Sequence, residues 1–507
     1  MAGGPFAELD HWRLVRRYAV PGWMIAECTA ARERGDWRAA CAAARVTVAF
    51  GEPGPEAAEL LAGFAPDLLR WHLPRSRGGS ATLAAGLRYV LAPDGPVGAD
   101  TVVLEIRSPD WSTGSQRLTL HAGRAGDLAE GLVVPLPPHF WDARRAGELR
   151  AEPEIHGLGA VEAWTAAGWT VDEAVIDSWG LPGMEMLGPA DPWLAAREVR
   201  RLAAQFGRES WALRTVQFQR ASGRRDWHLR LEVAADRLRV TRDTTGARAP
   251  GAEPCLHPEL LRGPVDAELV RHGRIDAAEL HPLVRDALFP GAAGGLARSL
   301  PGGLARSLPG GLARSLPGGL ARSLLPGGFA GEERVRVRCG RDWHWIALRA
   351  GHLELLHPHT DDERRREATM RALGGAVGGC VEAERIWHGG AGNMPRRLRE
   401  YRAELWRHME HGGGRVVLAL LDAGLDPHLR DAKGRTLLHR IHQFEHPELL
   451  PRLLAAGLDV NARSRRGYTP MCEALVHSAS AEVLAALHEA GAFPPLSRPD
   501  QVRPAAA

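Results

Sequence analysis

Asp431-Ala432-Lys433-Gly434-Arg435-Thr436-Leu437-Leu438-His439 and Ser464-Arg465-Arg466-Gly467-Tyr468-Thr469-Pro470-Met471-Cys472 lie 33 residues apart, with Gly and Thr at matching positions. The same offset relates Leu420-Leu421 and Ala423-Gly424-Leu425-Asp426 to Leu453-Leu454 and Ala456-Gly457-Leu458-Asp459. One copy earlier, Leu405-Trp406-Arg407 matches Leu438-His439-Arg440. Three copies follow, at 398–430, 431–463 and 464–497, the last with one inserted residue before Ala490-Gly491. A unit of this size cannot bury its apolar face alone, so neighbouring copies must stack. Thr436 and Thr469 stand where a hydroxyl can cap a first helix, and Pro470 fits the first turn, where its missing N–H costs nothing. Gly424, Gly457 and Gly491 follow a second helix and can take the left-handed cap. Leu453, Leu454 and their equivalents face the adjoining copy.

These residues resemble the ankyrin repeat, whose units run D-x-x-G-x-T-P-L-H, a helical pair, L-L and A-G-A-D-x-N. The resemblance covers about a fifth of the chain and is of bacterial, actinobacterial-like type. Leu437 stands in place of the Pro, Cys472 in place of the His, and Leu425 and Leu458 in place of the Ala. The first copy keeps little of the T-P-L-H end, which suggests that it serves as a cap against preceding structure. The resemblance implies an all-α solenoid that binds an unknown protein partner through its loop tips and concave face. It points to Arg430, Lys433, Arg435, Arg463, Arg465, Arg466 and Tyr468 as exposed partner-binding residues. Their positive charge would suit an acidic patch. His439 occupies the position that serves turn hydrogen bonding in the family.

Upstream of the repeats the pattern changes several times. Residues 1–75 read as helical. Pro21 can open a helix that Gly35 breaks, Asp36 can cap the next, and a short helix runs from Pro66 to His72. From Gly86 the apolar period becomes two. Leu87–Leu91, Thr101–Arg107 and Gln116–His121 read as an antiparallel meander within an α+β region spanning 76–290. Residues 138–210 look mixed and mostly helical. The unit GGLARSLP recurs at Gly294, Gly302, Gly310 and Gly318, and its Pro-Gly-Gly breaker marks 291–330 as a low-complexity linker. A second meander with a helix fills 331–397, where Thr360 and Glu363 have capping-box spacing. Gly223-Arg224-Arg225-Asp226-Trp227-His228-Leu229 resembles Gly340-Arg341-Asp342-Trp343-His344-Trp345-Ile346, which suggests a duplication or two similar sheet edges. The fold class is thus α+β, antiparallel meanders with helices, followed by the all-α repeats.

Composition narrows the function. Lys and Arg total 64, Asp and Glu 61, for a formal net charge of +3, so a strongly basic nucleic-acid footprint is missing and nucleic acid is not the expected partner. Lys433 is the sole lysine among the basic residues, the signature of a GC-rich coding sequence. Six scattered cysteines, with no C-x-x-C pair, fit a reducing cytoplasm and offer no ribbon-type zinc motif. Glu8, Asp10 and His11 break up any signal-peptide pattern, and no run of ~18 apolar residues could span a membrane.

Several constellations could carry chemistry. Asp226/His228 and Asp342/His344 each share one strand face and could form half of an acid–base pair. No nucleophile elbow, P-loop or dinucleotide fingerprint accompanies them. His352, His357 and His359 lie near Asp361 and Asp362, and read best as surface histidines at a strand end. His439, His442 and His446 read as part of the repeat rather than as a metal face. Sixteen tryptophans, all at or before Trp406, read as core. The sequence therefore assigns no catalytic, cofactor-binding or metal residue and favours a non-catalytic, cytoplasmic interaction protein. Two alternatives stay open. One is an enzyme in the α+β region that uses the repeats as a targeting arm. The other is a single-stranded nucleic-acid binder with exposed Trp227 and Trp343 on a sheet.

Overall fold

The computed structural model describes residues 5–76, 81–127, 133–149, 160–172, 175, 191–214, 228–234, 237–242, 255–256, 260–290, 332–339, 341–373, 378–389 and 392–493. The GGLARSLP repeats and the stretch 223–227 lie outside these residues. The chain divides into two compact units, residues 1–112 with 116–309, and residues 113–115 with 310–507.

The first unit opens with helices α1 (Pro5–Tyr18), α2 (Gly22–Glu33) and α3 (Trp37–Ala43). Asp36 caps α3 by accepting the Ala39 N–H at 2.9 Å. After β1 (Val46–Val48), α4 (Pro55–Gly63) and α5 (Pro66–His72) each begin on a proline, which is harmless where the N–H has no helical partner. Strands β2 (Arg88–Leu91), β3 (Val102–Arg107) and β4 (Leu118–Arg124) form the expected antiparallel meander. It is widened at its edges by β1, parallel to β4, and by β5 (Val133–Pro135), parallel to β2. The N-terminal helices and this sheet share one core, with Trp12, Trp71, Tyr89 and Trp141 buried in it.

A second five-stranded sheet follows helix α6 (Ala160–Ala166). Its strands are β6 (Trp169–Val171), β7 (Ser210–Arg214), β8 (His228–Ala234), β9 (Arg237–Arg242) and β10 (Cys255–Leu256), with α7 (Pro192–Phe206) between β6 and β7. The first sheet runs β1-β4-β3-β2-β5 and the second β6-β9-β8-β7-β10. Both have an antiparallel central meander and parallel edge strands at corresponding places. The same strand order and edge pairing thus occur twice in this unit, a likeness that the Gly223/Gly340 resemblance does not touch. Helices α8 (Val265–Arg271) and α9 (Pro282–Leu288) return to the first core.

The second unit starts with a three-stranded antiparallel sheet, β11 (Glu332–Cys339), β12 (Asp342–Arg349) and β13 (His352–Leu355). Helix α10 (Asp361–Ala372) has the capping box expected of Thr360 and Glu363: the Glu363 N–H donates to Thr360 Oγ1 and the Thr360 N–H to Glu363 Oε2. Helix α11 (Cys380–Trp387) leads to α12 (Arg396–Asp422), which Gly413, at φ 68°, breaks into two helices. A 3-10 turn (Leu437–Arg440) with α13 (Ile441–Phe444) pairs with α14 (Leu449–Ala455). Finally α15 (Pro470–Val476) pairs with α16 (Ala481–Glu489). The 33-residue period thus yields three successive helical pairs. The first pair packs on the sheet: Leu405 and Leu425 close over Gly351, where a Cβ would come within 2.4 Å of Leu425, and the Gly351 N–H donates to the Tyr401 hydroxyl.

The tryptophan expectation holds for Trp71, Trp141, Trp164, Trp169, Trp211 and Trp387, all fully buried. It fails for Trp111, which is 48% exposed, and for the strand residues Trp343 and Trp345, which are 54% and 46% exposed. The latter two alternate on the outer face of β12, where the Arg336 guanidinium lies over both rings, so cation–π contact replaces burial. No helix among the described residues is long and apolar enough to cross a membrane.

Candidate functional site

Two successive repeat tips carry the residues expected to meet a partner. In the first, Asp431 Oδ1 accepts the N–H groups of Lys433 and Arg435 at 2.8 and 2.9 Å, and Gly434, at φ 72°, completes the turn. In the second, Ser464 Oγ accepts the Tyr468 N–H at 3.2 Å, and Gly467, at φ 80°, turns in the same way. The two tips are tied together. The Arg465 N–H donates to the Lys433 carbonyl at 3.0 Å, and the Arg465 guanidinium to the Ala432 carbonyl at 3.0 Å. His439 adds a third tie. Its Nδ1 accepts the Thr436 N–H at 3.1 Å, so the proton sits on Nε2 and is donated to the Tyr468 carbonyl at 3.0 Å. The turn role expected of His439 is what the side chain does.

The seven residues expected at the surface divide into two groups. Lys433, Arg463, Arg465, Arg466 and Tyr468 are exposed. Arg435 is not; it is 7% exposed, with Nε 2.7 Å from Asp431 Oδ2 and Nη1 3.8 Å from Glu473 Oε2. A buried guanidinium between two carboxylates holds the turn and has nothing left to offer a partner. Arg430 is half-buried, its Nη1 bridging the Gly434 and Arg463 carbonyls at 2.8 and 3.1 Å. Arg435, expected to be exposed, is instead buried as a support of the tip, and Arg430 braces the tips from a half-buried position.

Titration beneath the tips gives a pH signature. Burial, together with the neighbouring His477 and Arg440, pushes the His442 imidazole down to about 3. Glu473 is pushed up by burial, but its hydrogen bond to His477 and the charges of Arg435, His477 and Arg440 prevail and hold it at about 2. A histidine depressed in the fold is neutral in the native state, while the unfolded chain takes up its proton below about 6.5, so stability falls as pH drops from there towards 3. The loss at pH 4.5 is about 2–3 kcal/mol. His442→Phe should flatten this limb, read as a smaller drop in melting temperature between pH 7 and 4.5; an unchanged drop would mean that His442 is not its source.

The pairs named for acid–base chemistry are Asp226/His228 and Asp342/His344. Asp226 lies outside the described residues, and Asp342 is exposed at the end of the hairpin. In the first unit a cleft is lined by Arg16, His72, His139, Arg197, Glu198 and Asp266, among others. Burial lowers both imidazoles, His139 to about 4, so both are neutral near pH 7. Glu198 is held by Arg201 at 2.8 Å. A second polar pair, His281 Nε2 donating to Asp67 Oδ2 at 3.1 Å, is sealed in the core with both side chains at most 1% exposed. Such a pair braces α9 against α5.

One cluster has no counterpart in local sequence spacing. Cys339, His344, His359 and Cys380 bring one ligand atom each to within 4.8 Å of one another. Burial, followed by the hydrogen bond and charge of Cys339, pushes the Cys380 thiol up to about 12. His359 was expected at the surface, yet its side chain is only 5% exposed.

No family model matches the chain. An ankyrin repeat-containing protein of Schizosaccharomyces pombe is 37% identical over 73 residues, which is 14% of this chain and 35% of that protein. A segment of this chain is therefore ankyrin-like. The chain spans about a third of the relative it matches.

Proposed function

We propose that the protein is a non-catalytic adaptor of a reducing, cytoplasmic compartment, and that its C-terminal ankyrin-like pairs dock a protein partner bearing an acidic patch. The observation that carries this reading is the exposed row Lys433, Arg463, Arg466 and Tyr468 on two tips locked in register. A pre-ordered surface loses little conformational entropy on binding, and a row of cations beside one aromatic favours an acidic counterpart. The ankyrin-like segment supports the same reading, since stacked repeats of this kind offer extended binding surfaces.

A second reading has one favourable observation. Trp343 and Trp345 stand exposed among Arg334, Arg336 and Arg338 on the outer face of the three-stranded sheet. Such a platform could stack the bases of a single strand.

One capture experiment separates the two. The full chain and a variant carrying Arg463→Glu, Arg466→Glu and Tyr468→Ala are used as baits in a cytoplasmic extract, with and without nuclease. The adaptor reading expects a protein recovered with nuclease present and reduced at least tenfold by the tip variant, since each reversal changes an interfacial charge. A capture lost to nuclease and to Trp343→Ala, but kept by the tip variant, would move the function to the sheet.

A further inference from the structure

The three-stranded sheet is small. Three strands with one apolar face are about the least that stands without further support. On the inner face of this sheet Val335, Val337 and Cys339 alternate along β11, and His344 and Ile346 follow the same side of β12. Val337 pairs with His344 and Cys339 with Asp342, so Cys339 and His344 are diagonal neighbours on one face. His359 enters from the loop before the Thr360 cap, and Cys380 is the first residue of α11. Strand, strand, loop and helix each contribute one donor.

Two imidazole nitrogens of this cluster are left unsatisfied. His344 Nδ1 and His359 Nε2 are shut off from solvent and have no hydrogen-bond partner. A buried imidazole nitrogen left in this state is destabilising unless something satisfies it. The two sulfurs lie 3.3 Å apart, and the Cys380 N–H points at Cys339 Sγ from 3.0 Å. Backbone N–H groups aimed at sulfur stabilise a thiolate. Gly379 makes this approach possible. It sits at φ 105°, and a Cβ there would lie 2.6 Å from Cys339 Sγ.

We propose that Cys339, His344, His359 and Cys380 form a structural zinc site that fastens the sheet to α11. Two thiolates and two imidazoles are a donor set that selects zinc over the oxygen-seeking cations. Zinc–sulfur lengths of about 2.3 Å put two tetrahedral thiolates about 3.8 Å apart, so the sulfurs, 3.3 Å apart here, need open by only about half an ångström to take the ion. Four protein ligands leave no open position, so the ion is structural and activates no water. His357 lies against His344, with ring centroids 3.9 Å apart and the rings tilted by 31°. Glu363 Oε2, 3.8 Å from His359 Nδ1, stands behind the other imidazole as an outer carboxylate.

The site reaches the repeats through α11. Trp387 lies 6.2 Å from Tyr401 between ring centroids, and Arg402 donates to the Ile386 carbonyl at 3.2 Å. Both partners lie on the first helix of the first pair. Zinc binding would therefore stabilise the platform on which the repeats stack, whatever the repeats bind.

The full chain, purified under reduction without chelator, should carry about one zinc by elemental mass spectrometry. Cobalt exchanged into it should give the visible bands of a tetrahedral thiolate complex. Cys380→Ser and His359→Ala should each bring the zinc content near zero. Should either variant fail to fold, the wild type supplies the test: chelation should lower its melting temperature and zinc, not magnesium, should restore it. A wild type without zinc or cobalt bands under reduction would overturn the proposal, as would a Cys339–Cys380 disulfide found in protein prepared without oxidant.

Discussion

Asp266→Ala is expected to destabilise the first unit by about 3–5 kcal/mol, the usual loss when one partner of a buried ion pair is removed. Asp266 is fully buried. It receives both Nε and Nη2 of Arg16, at 2.6 and 2.9 Å, and the Trp71 indole N–H at 3.2 Å. The Arg16 guanidinium lies over the rings of Trp12 and Trp71, at 4.9 and 4.7 Å. Truncating the carboxylate strands a charge between two aromatic faces with one remaining acceptor, the Trp71 carbonyl at 2.8 Å. The contacts join residues 250 apart, so the loss falls on the closure of α8 onto α1 rather than on either helix. Urea unfolding of the full chain, followed by tryptophan emission, measures it. A shift worth under 1 kcal/mol would show that the pair is solvated and that the packing around it does not depend on the charge.

Leu453→Ala should cost about 2–5 kcal/mol and uncouple the third helical pair from the first. Leu453 is fully buried in α14, and its counterparts Leu420 and Leu487 are equally buried in the second helices of their own pairs. In a short stack each pair is stabilised by its neighbours, so a cavity in the middle unit weakens both junctions. Amide exchange should then accelerate across 470–491 more than across 396–412. Leu454, half-buried on the same helix, is the control, and its truncation should cost clearly less. Equal acceleration at both ends would mean that the pairs do not transmit stability along the stack.

What could be read from the sequence was local. The turns at Asp431 and Ser464 repeat one pattern of Gly and hydrogen-bonding residues, and a fixed offset is visible without a structure. The Thr360/Glu363 box and the Asp36 cap were legible because donor and acceptor stand three residues apart. Cys339 and Cys380 stand 41 apart, on a strand end and a helix start. Nothing in their spacing brings them together; only the paired register of β11 and β12 and the glycine at 379 do. Arg435 was misread for a similar reason. Its position at a tip suggests exposure, but Glu473, from the next pair, completes an ion pair over it. The shared strand order of the two five-stranded sheets escaped notice because it is set by pairing between segments far apart in sequence. The Asp-Trp-His likeness pointed to a different pairing, and one of its two members lies mostly outside the described residues.

The central claim, that the tips of the second and third pairs are where a protein partner sits, is tested most directly by photo-crosslinking. A benzophenone side chain is placed at Arg466 in the full chain, and in a control at Glu56, exposed on α4 of the first unit. Irradiation in the native extract is followed by mass spectrometry. The account expects a discrete adduct from position 466 that is missing from position 56, with the crosslinked peptide of the partner rich in Asp and Glu. Adducts from position 56 alone, or the same set from both positions, would contradict it and place the binding surface elsewhere.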